Sequence, residues 1–292
     1  MSPERLLQQD QVLRLEQRKR LQILSESCER LYLPRSLPSY HRKVIGRLIV
    51  DDKFKILFSF IPKVSCTTWK KLFNELQQWH SPHGSGYRLL HTYSKEGIEF
   101  RLQNYRKAVF VRDPATRLLS AYLSKFRTPK DKNGTMMRQW EQLYGKPIVQ
   151  EYRPEGEASA DENGWLNITL LEFVRYVTEI AGTKLSAKSD HFIPMYLLAT
   201  PCAIQYDFIG HFENLRTEAS YMLRFLGAQD IVAFPDIRTS TARTSLIEEY
   251  KQVPLTLFRQ IYYYYRIDYE LFGYSFGDIE QTIYFNDNNE HG

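Results

Sequence analysis

The stretch Phe60-Ile61-Pro62-Lys63-Val64-Ser65-Cys66-Thr67-Thr68-Trp69-Lys70 constrains this chain more than any other. Before it lies Ile56-Leu57-Phe58-Ser59-Phe60, an apolar run of the kind a parallel strand buried on both faces requires. Beyond it, Trp69, Leu72, Phe73 and Leu76 recur at helical spacing. A strand that ends in a short hydroxyl-bearing loop and opens a helix turns backbone N–H groups and the positive helix end toward an anion. Lys63 adds a point charge there. The glycines of a nucleotide-hydrolase P-loop are absent, so the segment predicts an anion site without predicting nucleotide hydrolysis.

The rest of the chain continues the strand and helix alternation that an α/β sheet needs. Residues 1–31 are polar and helix-prone with irregular heptads, and read as a solvated arm in preference to a stem helix or coiled coil. Pro34 and Pro38 then break the chain. One or two strands are expected over 42–61, helices over 67–79 and 94–105, and a strand over 107–111. Pro114 suits the first turn of a helix reaching about 126. Residues 127–165 lack a clear period and read as a long surface excursion of the kind that carries specificity. A helix is expected over 167–180, a strand over Ala203–Ile209, and a helix over Glu218–Leu226 ended by Gly227. A last long helix spans 254–272, and a loose acidic tail follows from 277. The division is thus an arm (1–40), a single α/β domain (41–276) and a flexible tail (277–292).

With 292 residues and 43% hydrophobic content the chain can bury one substantial core with room for surface insertions. The net charge of +5 mildly favours anionic ligands. No run of about 18 apolar residues is present, so no membrane-spanning helix is expected, and no signal peptide is visible.

Four motifs in register resemble the Golgi carbohydrate sulfotransferases, in particular the branch of the chondroitin and dermatan 4-O-sulfotransferases and the HNK-1 sulfotransferase. The first is Pro62 to Lys70, which looks like that family's 5′-phosphosulfate loop. The second is Val109-Phe110-Val111-Arg112-Asp113-Pro114 with Arg117-Leu118-Leu119-Ser120-Ala121-Tyr122, similar to its 3′-phosphate strand and helix. The third is Asp190-His191-Phe192, continuing through Pro201-Cys202 to Tyr206-Asp207-Phe208-Ile209-Gly210 and Glu213-Asn214-Leu215. The fourth is Phe234-Pro235 with Ser240-Thr241-Ala242-Arg243-Thr244. The stretch Tyr265 to Tyr274 resembles the closing helix. These matches span roughly residues 46–276.

The resemblance implies an α/β fold: a single domain with a central, mainly parallel sheet flanked by helices, the P-loop-like fold of sulfotransferases that use 3′-phosphoadenosine 5′-phosphosulfate (PAPS). It implies transfer of a sulfuryl group from PAPS to a sugar hydroxyl, chemistry that asks for in-line geometry and stabilisation of spread negative charge. Lys63 would neutralise the bridging oxygen as charge develops on the leaving phosphate. Pro62, Val64, Ser65, Cys66, Thr67 and Thr68 would form the rest of the cradle. Trp69, at an apolar helix position, suits core packing over an adenine contact. Arg112 ends a strand, where ligands collect in open α/β sheets, and its fork suits the 3′-phosphate with Ser120 adding a hydroxyl. Thr241 and Arg243 would close over the nucleotide. Arg117 reads as a solvated or ion-paired helix residue. A general base must take the acceptor proton, and His191 is favoured for it, with His80, His83 and His91 as alternatives. No metal is expected, because the histidines and cysteines lack ligand spacing.

An odd number of cysteines leaves at least one unpaired. The resemblance goes further: Ser59 and Ala199 stand where relatives carry two cysteines, which implies Cys28 with Cys202 as the candidate pair here and Cys66 buried and free, the alternative being three isolated buried thiols. Asn133-Gly134-Thr135 and Asn167-Ile168-Thr169 are glycosylation sequons. The implied partner is the glycan of a proteoglycan or glycoprotein, with no nucleic acid, in the Golgi lumen. The family's N-terminal membrane anchor is expected but does not occur in this sequence, which reads as a lumenal portion or an incomplete gene model ahead of a cytosolic protein. The expected acceptor is the 4-hydroxyl of N-acetylgalactosamine in chondroitin or dermatan. The alternatives are the glucuronic acid 3-hydroxyl, a nucleotide-dependent kinase, or an inactive glycan-binding protein.

Overall fold

A computed structural model describes residues 2–37, 42–80, 86–127, 135–154, 160, 164–181, 189–236 and 241–285. The chain divides into two compact units. The first comprises Met1–Asp113, Pro194–Arg238 and Ile267–Tyr274. The second comprises Pro114–Ile193, Thr239–Arg266 and Ser275–Gly292.

The first unit holds the sheet, in the order β3-β1-β2-β4-β5. Strands β2 (Ile56–Ser59), β4 (Arg106–Val111) and β5 (Phe208–His211) are parallel neighbours. Strands β1 (Leu48–Asp51) and β3 (Arg88–Leu89) add an antiparallel flank. The α/β expectation is met, and the parallel part is the three strands that share an end with the predicted anion loop. The antiparallel flank has a local cause. Asp51 accepts from the backbone N–H groups of Lys53 (3.0 Å) and Phe54 (2.9 Å), an Asx turn that folds β1 straight back onto β2. Helices α2 (Arg42–Ile45), α3 (Cys66–His80), α4 (Lys95–Asn104), α9 (Met195–Ala199), α10 (Pro201–Ile204) and α11 (Leu215–Leu226) complete the unit. Its core is aromatic: Phe58 meets Trp69, Phe73 and Phe110, and Phe110 meets Phe208. Gly210 lies opposite Phe110 in the β4–β5 register, and a Cβ there would fall 2.2 Å from the Phe110 ring. Only glycine lets that ring lie against the neighbouring strand.

Two expectations fail in this unit. Residues 203–209 do not form one strand. Pro201 opens the short helix α10, left-handed Gln205 ends it, and β5 begins at Phe208. The first thirty residues are no solvated arm either: α1 (Pro3–Arg30) buries Leu13, Gln17, Arg20, Leu24 and Ser27, spaced alternately four and three apart, with Cys28 beside the last. It packs on β5, α10 and α11. Strand β5 ends the sheet order and presents an unpaired edge. The Gln17 amide donates to the Ile209 carbonyl (3.0 Å) and accepts from the Ile209 N–H (2.9 Å), as a neighbouring strand would. Arg20 donates to the same carbonyl (2.8 Å) and forks onto Glu218 at 2.6 and 2.9 Å. Polar residues irregular as heptads are the ones that satisfy the edge. Cys28 and Cys202 are disulfide-bonded, tying α1 to α10, with Cα atoms 5.7 Å apart.

The second unit is helical. It contains α5 (Pro114–Tyr122), α6 (Thr135–Trp140), α7 (Lys146–Tyr152), α8 (Leu170–Arg175), α12 (Thr241–Thr244), α13 (Leu246–Lys251), most of α14 (Leu255–Phe272) and α15 (Phe276–Tyr284). The region read as a shapeless excursion is therefore largely helical where it is described, with a π-turn (Glu141–Gly145) between α6 and α7. The expected loose tail opens with α15, capped by Ser275. Helix α8 starts with a reciprocal capping box between Thr169 and Glu172, and Arg153 forks onto Glu172 at 2.6 and 2.9 Å. The Tyr122 hydroxyl donates to the Ile168 carbonyl and the Tyr250 hydroxyl to the Ala115 carbonyl. Buried tyrosines thus serve as apolar filling and as backbone clamps together. Among the described residues, no helix is long and apolar enough to cross a membrane.

Candidate active site

In the first unit β2 runs directly into the predicted loop. Val64 N–H donates to the Ile61 carbonyl (3.3 Å), and Trp69 N–H to the Ser65 carbonyl (3.0 Å), which starts α3. Lys63 (φ 71°) and Ser65 (φ 53°) are both left-handed. Each such non-glycine residue costs on the order of 1–3 kcal/mol. Left-handed residues alternating with ordinary ones are the backbone pattern from which anion-binding concavities are built. The glycine-free loop therefore reaches, through strain, a conformation that glycine adopts without it. Pro62 and Val64 are buried, Lys63, Ser65, Cys66 and Thr68 half-buried, and Thr67 exposed. Cys66 is a free thiol, half-buried where burial was expected. Trp69 is 1% exposed, between Phe58, Phe110 and Phe234.

Arg112, one residue past β4, is 2% exposed. Its Nη1 donates to the Lys63 carbonyl (3.1 Å), and its guanidinium lies 4.2 Å from the centre of the Phe212 ring. The fold thus brings two of the predicted donor residues into contact, with Arg112 bracing the backbone of Lys63. Glu213 accepts from the Asp113 N–H (3.0 Å) and from the Tyr274 hydroxyl (2.8 Å). Burial, and then the Glu213 charge, holds that phenol far above its usual range. His211 stacks on Tyr274 with ring centres 4.5 Å apart. Burial, reinforced by the Arg20 charge, pushes its imidazole down to about 3, so it is neutral. Neither His211 nor Tyr274 carries a motif or spacing that marks such a role.

In the second unit, α12 packs on α5, which places the helix carrying Thr241 and Arg243, both exposed, against the helix carrying half-buried Ser120. His191 sits half-buried on a turn, edge-on to Trp140 with ring centres 5.1 Å apart. Lys125 lies 4.5 Å over the same Trp140 ring. Arg117 corrects the sequence reading. It is fully buried, and its Nη1 and Nη2 donate to the carbonyls of Ile193 and Asp190, each at 2.8 Å. A buried cation that pairs with backbone leaves no charge pattern to find. His91 is half-buried in the first unit with Nδ1 enclosed. The His80 side chain, His83 and Asn133 lie outside the described residues, whereas Asn167 is exposed. Among the described residues, no cluster of histidine, cysteine or carboxylate side chains is arranged for a metal.

A model of the sulfotransferase family matches residues 46–275. The chain belongs to the sulfotransferase family. Carbohydrate sulfotransferase 14 of Danio rerio is 30% identical over 262 residues, covering 85% of this chain and 68% of that protein. Human carbohydrate sulfotransferase 9 is 32% identical over 275 residues, 89% of this chain and 60% of its own length. Rat carbohydrate sulfotransferase 11 is 30% identical over 245 residues, 79% and 68%. The chain thus spans roughly two thirds of the length of such sulfotransferases, 60% at the least of these three. No solved structure gives a significant match. The family expectation raised by the four motifs is met at the level of carbohydrate sulfotransferases, and the matched relatives are several differently numbered members.

Proposed function

We propose that this sulfotransferase moves a sulfuryl group from PAPS to a sugar hydroxyl. The observation that carries the reading is the glycine-free loop of the first unit, with Lys63 and Ser65 left-handed and Arg112 braced on its backbone. A concavity of N–H groups beside two cations suits a phosphosulfate donor. PAPS, when bound, supplies the activated sulfuryl group. Lys63 neutralises charge arising on the leaving phosphate oxygen, and Ser65, Thr67, Thr68 and the loop N–H groups hold the anionic oxygens. Arg112 and Ser120 take the 3′-phosphate, and Thr241 and Arg243 cover the nucleotide. His191 accepts the proton of the acceptor hydroxyl.

The acceptor we favour is the 4-hydroxyl of N-acetylgalactosamine in chondroitin or dermatan, on the resemblance of the motifs. The disulfide between Cys28 and Cys202 supports an oxidising compartment such as the Golgi lumen. Exposed Asn167, beside the helix start at Thr169, is the described sequon open to a glycan. A mass shift on enzymatic deglycosylation tests that.

The deciding experiment is transfer of radiolabelled sulfate from PAPS to desulfated chondroitin, desulfated dermatan, heparosan and glucuronylated lactosamine. Label on a galactosamine polymer supports the reading. Label on glucuronylated lactosamine alone moves the acceptor to the glucuronic acid 3-hydroxyl. Absence of binding of PAPS or 3′-phosphoadenosine 5′-phosphate sinks the donor assignment.

A further inference from the structure

We infer that Arg117 is a positioning residue for His191. The inference rests on the reading of His191 as general base. The turn that carries His191 runs from Ser189 to Ile193, and regular hydrogen bonding does not fix it. Its own bonds are Phe192 N–H to the Ser189 carbonyl (3.0 Å), Ile193 N–H to the same carbonyl (2.9 Å) and His191 N–H to Ser189 Oγ (3.3 Å). Its carbonyls are held from outside. The Arg117 fork takes those of Asp190 and Ile193, which bracket His191, and the Tyr265 hydroxyl takes that of Phe192. Phe192 is itself fully buried, edge-on to Phe173 and Tyr144.

The consequence is a division of labour within five residues. The backbone and Phe192 are anchored, while the His191 side chain stays half-buried against the edge of Trp140. Burying a guanidinium is expensive unless its geometry is well satisfied. A planar fork with a fixed span fits two carbonyls at once, which an ammonium does not do. The bonds fix where the His191 backbone sits, and a base displaced by an ångström loses about 100-fold in rate. Arg117 also lies three residues before Ser120 on α5, so one rigid helix sets both the turn and the predicted phosphate hydroxyl.

The test uses the full chain with Arg117→Ala, Arg117→Lys and His191→Ala. Histidine-selective NMR reads the His191 imidazole, assigned as the signal lost in His191→Ala. Calorimetry reads the affinity for 3′-phosphoadenosine 5′-phosphate, and turnover is read on the polymer labelled in the panel above. The expected result is a broadened or shifted His191 signal in both Arg117 variants, with other histidine signals and nucleotide affinity retained. A kcat loss of about 100-fold in Arg117→Ala and about 10-fold in Arg117→Lys should accompany it. Millimolar guanidinium should restore part of the activity of Arg117→Ala, which a merely unfolded variant would not permit. An unchanged His191 signal overturns the inference. So does a weakened nucleotide affinity, which would make Arg117 a donor ligand instead. Near-normal turnover in His191→Ala removes the general-base reading, and the positioning role falls with it. Lost turnover in His191→Ala beside unaffected Arg117 variants overturns the Arg117 inference alone.

Discussion

The proposed donor loop of the first unit and the His191 turn of the second hold their candidate side chains by opposite means. The loop is shaped by its own backbone, through left-handed Lys63 and Ser65 between a strand end and a helix start. The turn is shaped by side chains from distant segments, Arg117 and Tyr265, which grip its carbonyls. A locally built site is written in consecutive residues. A site clamped from elsewhere is written in positions 70 or more residues apart, with no shared spacing.

The sharpest break of this comparison is to remove the chemistry from each side. Lys63→Ala should lower kcat by about 1,000-fold, the range for losing one preorganised charge-stabilising group. His191→Ala should lower it by about 100-fold, as loss of a general base does. Steady-state transfer kinetics on the labelled polymer check both. Equal, small losses would mean that neither segment contacts the reacting atoms.

Acid should separate the two units next. His211 is neutral in the folded first unit, with its pKa pushed from the ordinary 6.5 down to about 3. The unfolded chain therefore binds the extra proton first. Stability is full above pH 6.5 and falls as pH drops toward 3, by about 2 kcal/mol at pH 5. In the second unit, burial pushes the Glu172 carboxyl up, but Arg153 and the Thr169 cap outweigh it and hold the pKa below the usual range. That contribution is present above the ordinary carboxylate pKa and is lost only as pH falls through the lowered value. Between pH 7 and 5, hydrogen-exchange protection factors, corrected for the intrinsic rate at each pH, should fall around β5 and stay unchanged around α8. Replacing His211 by Gln should abolish the difference, and loss of protection in both regions alike would show that another group governs the acid response.

The smallest effect probes the strain of the loop. Ser65→Gly should leave stability within about 1 kcal/mol, because relief of the left-handed residue offsets the added freedom of the unfolded chain. Ser65→Val should destabilise by about 1–2 kcal/mol, since a β-branched residue resists φ above zero. Thermal melts of the two variants check the order, and a reversed order would show that the loop relaxes freely.

Much of this was legible in the residues because the determinants were local. The apolar run at 56–60 gave β2, the helical spacing of Trp69, Leu72 and Phe73 gave α3, and Gly227 (φ 71°) ends α11 where a left-handed residue is needed. The misreadings share the opposite origin. The strand expected at 203–209 is a helix turn followed by β5, because Pro201 and left-handed Gln205 set the backbone there. Residues 1–31 looked like a solvated arm because Gln17 and Arg20 are polar. Their burial makes sense only beside an exposed strand edge that needs one donor and one acceptor at Ile209.

The sequence alone thus determined the family, the strand, loop and helix of the proposed donor site, and the residue types available there. Those follow from periodicity and from short-range geometry, which act between neighbours in the chain. Tertiary structure decided that Arg112 braces Lys63, that Arg117 is a buried clamp, that α1 closes the sheet edge and that His211 stays neutral. Each of these depends on desolvation and on backbone groups brought together by folding, and burial is not encoded at any single position.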